Sequence, residues 1–143
     1  AFAAQLNLSN FSDIPLVAWK FLAANICWAI AYDTMYAMVD REDDLRVGIK
    51  SSAILFGQYD RLIIGILQAA TLILLFDVII DLGHDWHSAK FYFLGIIIAA
   101  SFILYQQFLI KDLKQSLCFK AFLNNHWVGL SILIGIICHF QLN

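Results

Sequence analysis

The run LIIGILQAATLILLF, residues 62–76, holds one amide and one threonine among fifteen residues. A helix exposed to water needs a polar face, and this run cannot supply one at any helical pitch. Three further runs of similar character occupy residues 14–39, 91–110 and 119–140, and the first extends to about residue 80. Each is long enough to cross a hydrocarbon core, which takes about 20 residues. Lys20 and Asn25 interrupt only the run at 14–39. The expected fold class is therefore all-α, a polytopic transmembrane helix bundle with about four spans. Apolar residues make up 62% of the chain and charged residues 14%, against about 25% charged in globular domains. A net charge of −2 excludes a nucleic-acid partner on electrostatic grounds. Cys27, Cys118 and Cys138 show no C-x-x-C spacing and read as small hydrophobes.

Charge asymmetry orients the bundle. The connection after the first span carries Arg41, Arg46, Lys50 and Arg61, and the third connection carries Lys111, Lys114 and Lys120. Residues 1–19 have no Lys or Arg, and residues 81–90 have only Lys90. By the positive-inside rule the first and third connections face the cytoplasm.

Acidic residues gather where the first span ends, in Asp40-Arg41-Glu42-Asp43-Asp44, with Asp33 seven positions before Asp40. At about 100° per residue, Asp33, Asp40 and Asp44 fall within roughly 40° of one another on a continuous helix. Carboxylates at or inside a bilayer are costly and mark function. Repulsion along that stripe would be relieved by a divalent cation. An i, i+4 pair, Asp40 and Asp44, suits Mg²⁺, which takes oxygen ligands and shares them with substrate phosphates. Arg41, Arg46 and Lys50 lie within ten residues and are able to neutralise a diphosphate; Gly48 lets the chain fold Arg46 or Lys50 back over the site. A solvated charge run that anchors a helix end is the plainer alternative, but it leaves Asp33 unexplained.

These residues resemble a known family. YDTMYAMVDREDDLRVGIKSSAILFG, residues 32–57, is similar to the second aspartate-rich motif and following loop of the UbiA-type intramembrane prenyltransferases. QYDRLIIGILQ, YQQFLI and CFKAFLNNHWVG continue the likeness over essentially the whole chain. Within the family it is most similar to the bacterial branch that prenylates 4-hydroxybenzoate in ubiquinone biosynthesis. The resemblance implies one domain over residues 1–143, the C-terminal portion of a nine-helix bundle in the bacterial inner membrane. It implies Mg²⁺ held against a polyprenyl diphosphate, with the D-x-x-x-D pattern falling on Asp40 and Asp44 and the upstream aspartate on Asp33. The partner motif, of the N-D-x-x-D-x-x-x-D kind, is not found: Asn10-Phe11-Ser12-Asp13 has the wrong spacing. Residues 1–4 would be the remnant of a preceding helix, and the N-terminal half of the same protein would supply the opposing ligands. Tyr32 and Tyr36 flank Asp33 and can stabilise an allylic cation through their ring faces, or serve only as interfacial aromatics.

Other features carry plainer expectations. Asp77, Asp81 and Asp85 form a second acidic ladder beside His84 and His87, expected to be solvated acids on the far loop rather than a metal site. Gln68 and Thr71 read as interhelical hydrogen-bonders, Asn124, Asn125 and His126 as either that or substrate contacts, Lys120 as a positive-inside charge, and His139 as interfacial. The rival function is a membrane cation-binding or transport segment, which requires an acidic path continuing through the midplane on several helices.

Overall fold

The computed structural model describes residues 14–84 and 86–142, and among them every regular element is helical. Four long helices carry the fold: α1 (Leu16–Val39), α4 (Asp60–Asp81), α5 (Lys90–Leu109) and α6 (Gln115–Leu142). Two short ones, α2 (Arg41–Val47) and α3 (Ser52–Phe56), lie in the connection between α1 and α4. Pro15 precedes α1 in an extended conformation, where its missing N–H costs nothing. Glu42, Asp43 and Asp44 fill the first turn of α2, the end of a helix that favours negative charge. Gly48, at φ 81°, closes α2; its N–H and that of Ile49 both donate to the Asp44 carbonyl at 2.9 Å.

Hydrogen bonds show the register. Thr71 Oγ1 donates to the Ala24 carbonyl at 3.3 Å, Gln68 Nε2 to Gln106 Oε1 at 2.6 Å, and Trp28 Nε1 to Asn125 Oδ1 at 3.2 Å. With Lys20–Asp77, Tyr92–Leu75 and Tyr32–Phe122 as second contacts for the same pairs, numbering rises on one helix as it falls on the other, so α1, α4, α5 and α6 run up and down alternately. The closest packing lies between α5 and α6 and between α1 and α4. A Cβ at Gly95 would meet the Ser131 carbonyl oxygen at 2.7 Å and Gly135 Cα at 3.1 Å, so α5 and α6 approach backbone to backbone, as small residues permit in membranes.

Among the described residues, three helical stretches are long and apolar enough to cross a membrane: Ser52–Asp81, Lys90–Asp112 and Gln115–Leu142. The expected fourth, α1, has the length at 24 residues. It is less apolar because Lys20, Asn25 and Asp33 all fall within it. Apolar side chains also cover the outside of the bundle: Leu62 is 60% exposed, Ile73 66% and Leu104 71%. The chain is a multi-pass membrane protein.

The side-chain amides of Gln68, Gln106 and Asn125 inside the bundle are paired. Gln68 and Gln106 are almost fully buried. Gln106 Nε2 donates to Asn124 Oδ1 at 3.1 Å and Gln107 Nε2 to Gln68 Oε1 at 3.0 Å. This amide chain joins α4, α5 and α6, satisfying groups that hydrocarbon could not solvate.

Candidate metal and diphosphate site

The acidic segment sits at a bend. α1 stops at Val39, and Asp40 adopts φ −92° and ψ 3° before α2 begins at Arg41. The single helical stripe expected for Asp33, Asp40 and Asp44 therefore ends at Asp40, and Asp44 stands on a second axis. The Asp44 N–H still donates to the Asp40 carbonyl at 2.9 Å, so the two residues remain one turn apart. Asp33 is exposed on α1, and Asp40 and Asp44 are half-buried. Among the described residues none of these three carboxylates has an ion pair or a side-chain hydrogen bond.

The nearby bases are not equally free. Arg41 is not available to a diphosphate: its Nη2 donates to the Ala53 carbonyl at 3.1 Å and pairs with Asp60. Asp60, the first residue of α4, is 1% exposed, and its second carboxylate oxygen accepts the Arg61 N–H at 2.5 Å. Removing one partner from such a buried pair costs about 3–5 kcal/mol. Arg46 makes a 3.5 Å contact with Asp43, both side chains largely exposed, and Lys50 is exposed. Nothing short-range in the sequence singled out Asp60; the one signal is a lone acid opening a long apolar helix.

A hard cation fits what is present in part. Two carboxylates without competing partners supply oxygen donors, the chemistry Mg²⁺ takes. No group of three or more His, Cys, Asp or Glu side chains converges among the described residues. Asp40 and Asp44 are thus a partial ligand set, with room for donors from elsewhere.

Beside the acids lies an aromatic wall. Tyr32 stacks on Phe122 with ring centroids 5.3 Å apart, and Tyr36 meets the same ring at 5.1 Å. Tyr32 and Phe122 also border an open groove of about 690 Å³ between α1 and α6, with Trp28, Asn125 and His126. Asn125, left open between packing and substrate contact, bonds within the bundle: its Oδ1 accepts from Trp28 and its Nδ2 donates to the Ala121 carbonyl at 3.2 Å. Asn124 accepts from Gln106, and Lys120 Nζ lies 5.9 Å from the Tyr105 ring.

The opposite end adds one tie that the sequence did not suggest. Asp77 and Asp81 are not simply solvated: Lys20 Nζ reaches them at 2.5 and 2.6 Å. Asp85 lies outside the described residues, as do residues 1–4 and Asn10 to Asp13. His139, near the end of α6, is 3% exposed, with its ring edge-on to His84 at 4.7 Å.

Comparison with known proteins decides the family. The UbiA prenyltransferase family matches residues 1–129. The chain belongs to that family. It is 52% identical over 136 residues to a 4-hydroxybenzoate octaprenyltransferase of Shewanella baltica, covering 95% of this chain and 44% of the relative. Proteins of the same description from Edwardsiella ictaluri and Vibrio campbellii are 54% and 48% identical, with 87% and 98% of this chain covered and 42% and 46% of theirs. The chain thus spans less than half the length of these relatives and corresponds to their C-terminal part. No solved structure matches it.

Proposed function

We propose that this chain is the C-terminal portion of a Mg²⁺-dependent prenyltransferase of the bacterial inner membrane. The enzyme transfers a polyprenyl group from its diphosphate to the ring of 4-hydroxybenzoate, ortho to the hydroxyl, in ubiquinone biosynthesis. The observation that carries this reading is the free i, i+4 pair Asp40 and Asp44, in a family-matched segment whose intervening arginine is turned away. Mg²⁺ bound there would act as a Lewis acid that neutralises the leaving diphosphate.

The chain's own residues supply the rest. Asp40 and Asp44 hold the cation from one side, on the cytoplasmic face, and Asp33 adds negative charge deeper on α1. Arg46, in the last turn of α2, and Lys50, just past Gly48, are exposed bases that can meet phosphate oxygens. Departure of diphosphate leaves an allylic cation, and the Tyr32 and Tyr36 rings offer it electron-rich faces. The acceptor ring attacks that cation and then loses its ring proton to restore aromaticity. Opposing carboxylates, about five further spans and much of the cavity wall come from the preceding half of the protein.

The rival reading, an ion pathway, needs acids that continue through the bundle. The acids available for such a continuation, Asp77 and Asp81, are tied to Lys20, which favours the transferase.

The test is a chimera in which this chain replaces the matching C-terminal stretch of the Shewanella baltica relative. Membranes holding it, given Mg²⁺, a polyprenyl diphosphate and labelled 4-hydroxybenzoate, should yield labelled prenylated lipid. This chain alone should insert and yield none. A chimera that accumulates and binds both substrates without turnover overturns the reading, and product from the lone chain overturns the two-sided metal site.

A further inference from the structure

We propose that Arg41, Asp60 and Gln115 form a clamp that fixes the bend at Asp40 and keeps the Asp40 and Asp44 carboxylates free for a divalent cation. The proposal rests on the prenyltransferase reading above and assigns these three as positioning residues. Asp40 is the single residue separating α1 from α2. Both its neighbours are tied down by side-chain bonds from elsewhere in the fold. The Val39 carbonyl, the last of α1, accepts from Gln115 Nε2 at 2.8 Å. Arg41, the first residue of α2, bonds the Ala53 carbonyl of α3 at 3.1 Å and the Asp60 carboxylate of α4. Elements α3, α4 and α6 therefore converge on one bend, from both sides of the residue whose carboxylate matters.

Packing alone does not call for a charge at Asp60. An apolar residue of similar volume often replaces a buried ion pair without loss of stability. What the pair adds is direction and charge placement. Arg41 lies between Asp40 and Asp44 in sequence, and a guanidinium fits carboxylates in bidentate fashion. Left free, it would neutralise the two aspartates and compete with a cation. Asp60 and the Ala53 carbonyl hold it against α3 and α4, and the two aspartates stay without side-chain partners.

The experiment uses the purified full-length chimera, with Mn²⁺ as the probe and binding read from the loss of its free-ion electron paramagnetic resonance signal. Asp60→Asn should weaken Mn²⁺ binding at least fivefold and raise the Mg²⁺ concentration for half-maximal transfer in parallel. The KM for 4-hydroxybenzoate should move less than twofold. Arg41→Lys, which keeps a cation within reach of Asp60, should hold Mn²⁺ affinity within about threefold of the parent. A purely structural role would lower thermal stability and leave the affinity of the surviving folded protein unchanged. That outcome for Asp60→Asn overturns the clamp. Should Asp60→Asn fail to accumulate, Gln115→Ala, at an exposed helix start, carries the test: weakening of twofold or more supports the clamp, and unchanged affinity overturns it. A parent chimera that binds no Mn²⁺ and transfers without divalent cations overturns the underlying metal reading instead, which separates the two failures.

Discussion

Two pairs of aspartates one helical turn apart stand at opposite ends of this bundle, and they have opposite fates. Asp77 and Asp81, at the end of α4, share the ammonium of Lys20 from α1. Asp40 and Asp44 have the nearer cation, since Arg41 lies between them in sequence, yet Arg41 pairs with buried Asp60. Identical spacing therefore yields a cation-bridged tie between helices in one place and open carboxylates in the other. A D-x-x-x-D pattern reports only that two acids can share a helical face. Whether they are free to bind a cation is decided by where the nearest base finds its best partner.

The strongest way to break this contrast is to remove an open acid. In the chimera, Asp40→Ala and Asp44→Ala should each lower prenyl transfer by at least two to three orders of magnitude, because charge stabilisation of the leaving diphosphate is lost. Asn replacements should cost nearly as much, since they keep shape without charge. Transfer of labelled 4-hydroxybenzoate at the parent rate in either alanine variant would mean that the free pair is not the ligand pair.

A smaller effect should follow from opening the tie at the other end. Lys20→Met leaves Asp77 and Asp81 facing each other uncompensated between α1 and α4. The thermal midpoint of the purified chimera should fall by a few degrees, while turnover per folded molecule stays within about twofold. A collapse in turnover without loss of stability would make the far end part of the reaction and erase the distinction between the pairs.

Much of this was legible in sequence. The apolar runs at 62–80, 91–110 and 119–140 lie within α4, α5 and α6, residue 110 falling in the 3-10 turn Ile110–Asp112 that follows α5, because hydropathy is a local property summed over many residues. Gln68 and Thr71 were readable as interhelical bonders because hydrocarbon leaves an isolated amide or hydroxyl few alternatives. The two ion pairs were not legible. Lys20 and Asp77 are 57 positions apart, and Arg41 and Asp60 are 19 apart; their meeting depends on the antiparallel register of α1 and α4, which no spacing rule supplies. The bend at Asp40 escaped for a related reason. Residues 33 to 47 have no Pro or Gly to announce it, and bonds from Gln115 and Arg41 at long range hold it in place.

The buried amide chain separates stability from chemistry along the same axis. Gln106→Leu strands Gln68 Nε2 and Asn124 Oδ1. Interhelical hydrogen bonds in membranes average about 0.6 kcal/mol and reach about 1.7, so the loss should be about 1–2 kcal/mol in detergent unfolding. Mn²⁺ affinity should not follow it. Parallel loss of metal binding would show that the acidic end depends on the core as a whole rather than on its own bonds.

The smallest expected effect is the most diagnostic. Asp81→Asn removes one charge from the bridged pair, and Lys20 keeps Asp77 at 2.5 Å as its partner. One ion pair persists, the amide fills nearly the same volume, and no carboxylate is left without a cation. Transfer in the chimera should therefore stay within about twofold of the parent, with a thermal midpoint lower by no more than a degree or two. The same change at Asp44, chemically identical and equally placed within its own D-x-x-x-D, should silence the enzyme. Measuring both variants in one preparation tests the contrast directly, because spacing, residue type and substitution are held constant and only the partner differs. An inactive Asp81→Asn beside an active Asp44→Asn would reverse the assignment and put the metal at the end where Lys20 now sits.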